Sequence, residues 1–292
     1  MSAYAWVDGA VVPRKEARVS IDDFAVRYGA ACFETMLARN GRVFRIDAHL
    51  DRLEQGLRGM HVAAPARDLL RAAVARTLDA NTLTEASVRL TVTAGSGHVP
   101  DLGRATTPSV IVTADALPAS RSAAPRLRVV ATRIDARHAL ADAKTAQFLP
   151  YLLARAEARA AGADDAVLLN HNGALVEAAT ANLFLVPGDT IETPPLVDGP
   201  LPGVTRDALI EVARGLGVAV VERTLRLDDV ARAEAIVLTS SVVGLVPAAT
   251  FTARQPEAPS NLDWRAREPA PALVARLIDG YEALLRHELA GA

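Results

Sequence analysis

The chain has 292 residues, 50% of them hydrophobic and 23% charged, which is enough to bury a large core and favours a globular protein of two domains. A formal net charge of -2 with scattered arginines excludes the basic surface of a nucleic-acid binder, and no apolar run approaches the roughly 18 residues of a membrane span. MSAYAWVDGAVVPRKEA lacks a signal-peptide core, so a cytoplasmic location is expected, and Cys32, the single cysteine, reads as a small buried hydrophobe.

AYAWVDGAVVP predicts two strands about an Asp8-Gly9 turn, and FETMLARNGRVFRI repeats the pattern about Asn40-Gly41. Two helices follow: AHLDRLEQGLRGM, with Leu50, Leu53, Leu57 and Met60 at helical spacing, and RDLLRAAVARTLDAN, stopped at Asn81. SVRLTVTAG and PSVIVTADAL are strands, which makes residues 1–118 a small α+β unit. PASRSAAPR has the composition of a connection, so residues 119–126 are expected to link that unit to a larger domain, 127–292.

In the larger domain RLRVVATRI is a strand and RHALADAK a loop that delivers Lys144. PYLLARAEARAAG is a helix set between Pro150 and Gly162. AVLLN and ALVEAA form a hairpin about His171-Asn172-Gly173 that is expected to bring Glu177 back toward the lysine, and NLFLV is the next strand. LPGVTRDALIEVARGLG is an amphipathic helix; beyond the Pro- and Ala-rich arm ARQPEAPSNLDW, PALVARLIDGYEALLRHEL is the last one.

Three places carry chemistry. Of 32 basic residues only Lys15 and Lys144 are lysines, and a lysine kept at one apolar-flanked position offers an amine that can form a Schiff base with an aldehyde, which guanidinium cannot. Glu177 lies among small and apolar residues in ALVEAATANLFLV, where a buried carboxylate needs a partner such as a protonated pyridine nitrogen. The N–H groups of Val204 and Thr205 and the Thr205 hydroxyl open a helix and can face an anion, although Thr205 could equally be an ordinary N-cap. The six histidines lack metal-ligand spacing, there is no GxSxG or P-loop, and GSG at 95–97 is too short for a dinucleotide signature.

Six pieces in order, RYGAACFETM, FRIDAHLDRL, the Lys144 segment, VEAATANLFLV, LPGVTRDALIEVA and LTSSVVGLVPA, resemble the fold-type IV, class IV family of pyridoxal-phosphate enzymes. That family holds branched-chain aminotransferases, D-amino-acid aminotransferases and 4-amino-4-deoxychorismate lyases. The resemblance implies an α+β fold with a small N-terminal α/β domain and a larger, β-rich C-terminal domain with flanking helices. It also implies pyridoxal 5'-phosphate bound to Lys144, amino acid and 2-oxo acid substrates, and a homodimer. Arg52, Ser241, Val204 and Thr205 would then hold the phosphate, Glu177 the ring nitrogen, and Arg137 would lie beside the ring. Tyr28, Phe33, Arg89, His98 and the backbone at Val242 would meet the substrate. Without the resemblance Arg52 reads as a solvated helix arginine and Phe33 as core. Transamination is the expected activity, with the lyase reaction, which releases pyruvate and 4-aminobenzoate, as the alternative. KTAQF is a residue shorter than the branched-chain loop and lacks its tyrosine, while Ala94 stands where D-amino-acid enzymes often carry arginine.

Overall fold

The computed structural model describes residues 3–105, 107–117 and 124–290. They fall into two compact units, one of residues 1–119, 143–147 and 286–292 and one of 120–142 and 148–285. Of the expected connection at 119–126, residues 119–123 lie outside the described residues.

In the first unit Tyr4–Val7 (β1) and Ala10–Pro13 (β2) turn through Asp8 and Gly9, both left-handed. A short helix absent from the sequence reading, Phe24–Tyr28 (α1), follows; the Asp23 carboxylate caps it by accepting from the Ala25 N–H at 2.7 Å, and Gly29 closes it. Ala31–Arg39 (β3) and Arg42–Val43 (β4) are joined by Asn40 and Gly41 at φ 52° and 70°, the left-handed pair that a tight two-residue hairpin needs. The helices Ile46–Gly59 (α2) and Arg67–Ala80 (α3) precede Ala86–Thr93 (β5) and Val110–Ala116 (β6). The sheet runs β2-β1-β6-β5-β3-β4, antiparallel throughout. Leu50, Leu53, Leu57 and Met60, the stripe expected of α2, are all buried.

Alternation along β3 sends Cys32, Glu34 and Met36 to one face and Phe33 and Thr35 to the other. Glu34 is fully buried against α2, where Arg52 grips it through Nε at 2.8 Å and a terminal nitrogen at 2.6 Å, and His49 Nδ1 lies 2.6 Å from its second oxygen. Burial alone would raise the Glu34 carboxyl; the charge and hydrogen bonds of Arg52, helped by His49, outweigh it and hold the group at about 2. Cys32 is buried beside it, and burial together with the Glu34 charge pushes its thiol up to about 12, which keeps it protonated and inert as expected.

The second unit has two five-stranded sheets. One comprises Arg126–Ile134 (β7), Asp165–Asn170 (β8) and Leu175–Ala178 (β9) with the later strands Thr250–Ala253 and Leu262–Arg265. The other comprises Asn182–Val186 (β10), Thr190–Thr193 (β11), Ala219–Glu222 (β12), Ala235–Ser240 (β13) and Gly244–Pro247 (β14), in the order β12-β11-β10-β13-β14. Leu127, Val167, Leu169, Leu183, Leu185, Ile236, Leu238 and Phe251 form the core they share. Leu149–Ala160 (α4) covers the opposite face of β7 and β8, its Ala154 and Ala158 packed on Val130, Ala166 and Leu168. Val204–Gly215 (α5) packs on β12 and β13. The short helix Leu227–Arg232 (α6) and the parallel β11–β12 pair go beyond the sequence reading, whereas the last helix, Ala272–Glu288 (α7), agrees with it. Among the described residues no helix is long and apolar enough to cross a membrane.

Replacing Glu34 by Gln keeps the shape of the side chain but removes the negative charge that Arg52 grips, and is expected to lower the unfolding free energy by about 3 kcal/mol in urea denaturation at neutral pH. Because its folded pKa is depressed, the stabilisation Glu34 gives is complete above the ordinary carboxylate range and fades as pH falls toward 2. The wild-type urea midpoint should therefore drop more steeply than that of Glu34→Gln as pH is lowered from about 5 to about 3.

Candidate active-site residues

The β8–β9 hairpin is set by Asn170, whose side-chain oxygen accepts from the N–H groups of Asn172 at 3.0 Å and Ala174 at 3.1 Å, with Gly173 left-handed at the corner. That turn puts Glu177 opposite Leu168, on the face covered by α4. Glu177 is 5% exposed, and neutral groups donate to both of its oxygens: the Tyr151 hydroxyl to Oε1 at 3.2 Å, and the Asn182 amide at 3.3 Å and Leu201 N–H at 3.1 Å to Oε2. Burial first, then the Glu177 charge and hydrogen bond, push the Tyr151 phenol far above its ordinary pKa, so it stays protonated and acts as the donor.

Asn182 also donates to the Leu201 carbonyl at 2.8 Å, tying the start of β10 to the loop that enters α5. Gly203 is the N-cap of that helix and offers no side chain to its first N–H groups. Val204 and Thr205 follow, 5% and 2% exposed. The Thr205 hydroxyl is buried with no hydrogen-bond partner, and so is that of Thr239, which pairs in register with Asn182 on the neighbouring strand. An unpaired buried hydroxyl costs about 1–3 kcal/mol, so two of them by one uncapped helix start have the chemistry of a cradle completed by an anion. The donor set therefore fits a phosphate at the helix and a protonated nitrogen at Glu177. Ser241 and Val242 lie half-buried in the turn between β13 and β14, and Arg137 is exposed in the turn after β7, its N–H bonded to Asp135 at 3.0 Å.

In the first unit Lys144 is fixed by its backbone. Its carbonyl accepts from the Phe33 N–H at 2.9 Å, Ala146 N–H donates to the Ala31 carbonyl at 2.8 Å, and Thr145 bridges Cys32, so the segment is paired to the start of β3. The Lys144 amine lies 4.8 Å from the centre of the Phe33 ring and the Arg89 guanidinium 3.7 Å from it, two cations against one aromatic ring. Tyr28, at the end of α1, packs edge-on against Phe24 and is 44% exposed; His98 is exposed on the loop after β5, and Ala94 is buried. Arg52 is the buried partner of Glu34 rather than a solvated arginine.

Sequence reasoning passes over Thr239, Asn182 and Tyr151. Each leaves a trace: Thr239 and Asn182 are the polar ends of apolar strand runs, and Tyr151 begins the stripe Tyr151, Ala154, Ala158 on the packed face of α4. Among the described residues no group of three potential metal ligands occurs. A methyl group at Gly203 would run into the side-chain oxygen of Asn182, so Gly203→Ala should cost about 1–3 kcal/mol in thermal unfolding.

The family model for class IV aminotransferases matches residues 31–251. A Methanocaldococcus jannaschii protein provisionally named a branched-chain-amino-acid aminotransferase is 31% identical over 246 residues, 83% of this chain and 85% of that one. Among solved structures, the branched-chain aminotransferase of Thermoproteus uzoniensis with norvaline superposes with a TM-score of 0.87 at 26% identity, over 99% of this chain and 97% of its own. A second branched-chain amino acid aminotransferase, from T.th. and complexed with N-(5'-phosphopyridoxyl)-L-glutamate, gives 0.85 at 26%, over 99% and 95%. The fold is thus the one the sequence motifs implied, and the chain belongs to the class IV aminotransferases.

Proposed function

We propose that the chain uses pyridoxal 5'-phosphate to move an amino group from a branched-chain L-amino acid to a 2-oxo acid. The observation that carries this reading is the pair of buried, unpartnered hydroxyls, Thr205 and Thr239, by the uncapped start of α5 and beside the Glu177 network. The Methanocaldococcus and Thermoproteus relatives, both named branched-chain aminotransferases, support branched-chain substrates over the lyase reaction.

The chemistry that pyridoxal phosphate supplies when bound is an aldehyde that captures amines and a ring that absorbs the charge left when a Cα proton departs. Lys144 provides the amine for the aldehyde in the resting protein, and during turnover its Nζ takes and returns the substrate Cα proton. Glu177 keeps a proton on the ring nitrogen. Thr205, Ser241, Arg52 and the N–H groups of Val204 and Thr205 hold the phosphate, with Thr239 a further hydroxyl for it, and Arg137 flanks the ring. Phe33 and Tyr28 orient the apolar side of the substrate, while Arg89, His98 and the Val242 backbone take up its polar groups. The protein acts as a homodimer: Leu149, Leu152 and Leu153 stand exposed together at the start of α4, an apolar surface that a second copy would cover.

The visible spectrum tests the reading. L-Leucine and L-glutamate, added separately, are expected to bleach the yellow band of the holoprotein, and D-alanine to leave it unchanged. Bleaching by D-alanine alone would reverse the handedness, and indifference to all three would turn the assignment to the lyase. Lys144→Ala should lower turnover by about 10²–10⁴-fold. In light scattering the protein should have twice the mass of its 30.8 kDa chain.

A further inference from the structure

Glu177 receives its Oε1 hydrogen bond from a residue that sequence motifs do not single out. Tyr151 enters from α4, the layer opposite the two-sheet core, and its ring stacks on Phe148 with centroids 4.9 Å apart and planes 12° from parallel. One side of the phenol is thus fixed by an aromatic plate, while the alanines one and two turns on bring the helix down onto β7 and β8. Its hydroxyl reaches Oε1 at 3.2 Å, while Oε2 is taken by Asn182 and Leu201. With donors on both oxygens, the plane of the carboxylate is set.

We propose that Tyr151 is a positioning residue for Glu177, its phenol fixing the orientation and sustaining the negative charge of the carboxylate that holds a proton on the cofactor's ring nitrogen. This rests on the role given to Glu177 above. A neutral donor favours the charged form of a carboxylate without neutralising it, whereas an arginine in its place would compete for that charge. Loss of the donor leaves a buried anion short of one hydrogen bond, and the anion answers by taking up a proton itself or turning toward another donor. In either case the ring nitrogen loses its counter-charge.

The test uses holoprotein reconstituted with pyridoxal phosphate carrying ¹⁵N at the ring nitrogen, whose chemical shift separates pyridinium from neutral pyridine. The wild type is expected in the pyridinium range and Glu177→Gln near neutral pyridine. Tyr151→Phe, which keeps the ring stack, should move part of the way toward Glu177→Gln, and cofactor affinity measured by fluorescence titration of its apoprotein should weaken about fivefold. If Glu177→Gln moves the signal and Tyr151→Phe does not, the role of Tyr151 is overturned while that of Glu177 stands. If neither moves it, the Glu177 assignment falls and takes this one with it. Phe148→Leu, which keeps the phenol but removes the plate that orients it, gives an independent reading should Tyr151→Phe fold poorly. A smaller shift in the same direction supports the proposal, and an unchanged signal overturns it.

Discussion

A carboxylate taken out of water must be given hydrogen bonds or lose its charge, and much of the second unit is arranged around meeting that demand at Glu177. The loop at 194–203 is held to β10 by the same Asn182 that donates to Glu177, and the Leu201 N–H in that loop donates as well. One consequence is that the start of α5 is fixed relative to the carboxylate. Gly203 belongs to this arrangement, since any side chain there would displace Asn182. The uncapped helix start and the buried carboxylate are therefore parts of one rigid element rather than two features that happen to be close.

The first unit solves the same problem the other way. Glu34 is satisfied by a two-pronged arginine and a histidine, so its charge is matched within the fold and contributes chiefly stability. It also settles the geometry of Arg52, because a guanidinium gripped along one edge is oriented by that grip. Cys32 shares the face with Glu34 and is kept protonated first by burial and then by the Glu34 charge, whereas the opposite face of β3 carries Phe33 beside Lys144 and Arg89. A single strand thus keeps a matched ion pair on one side and an aromatic ring contacted by two basic side chains on the other, with the period of two dividing them.

Local signals in the sequence are enough for elements whose cause is local. Asp8-Gly9 and Asn40-Gly41 turn because those residue pairs tolerate left-handed backbone, and the leucine spacing of α2 matches its buried stripe. Lys144 stands out by its rarity, and Glu177 by its apolar surroundings. Less legible are features whose cause lies across the fold. The five-residue α1 depends on the Asp23 cap and left-handed Gly29, too brief for periodicity to register. The parallel pairing of β11 with β12 is decided by where α5 returns the chain. Arg52 read by itself resembles a solvated helix arginine; only the register that brings β3 beneath α2 shows it to be buried against Glu34.

Tyr151 is the sharpest instance of that limit. The motif after Lys144 lacks the tyrosine expected of a branched-chain loop, which counts against that class when motifs alone are compared. A phenol nevertheless reaches the Glu177 carboxylate, carried by the first turn of α4. What allows it is the alanine content of LARAEARA: with Ala154 and Ala158 fully buried against Ala166 and Leu168, α4 lies close on the sheet, and a side chain as long as tyrosine at its start spans the remaining gap. Larger residues at 154 or 158 would lift the helix and withdraw the phenol, since a packed interface accommodates added volume by moving backbone. Helix composition far from the reacting groups thereby sets the hydrogen bonding of the carboxylate assigned to the cofactor.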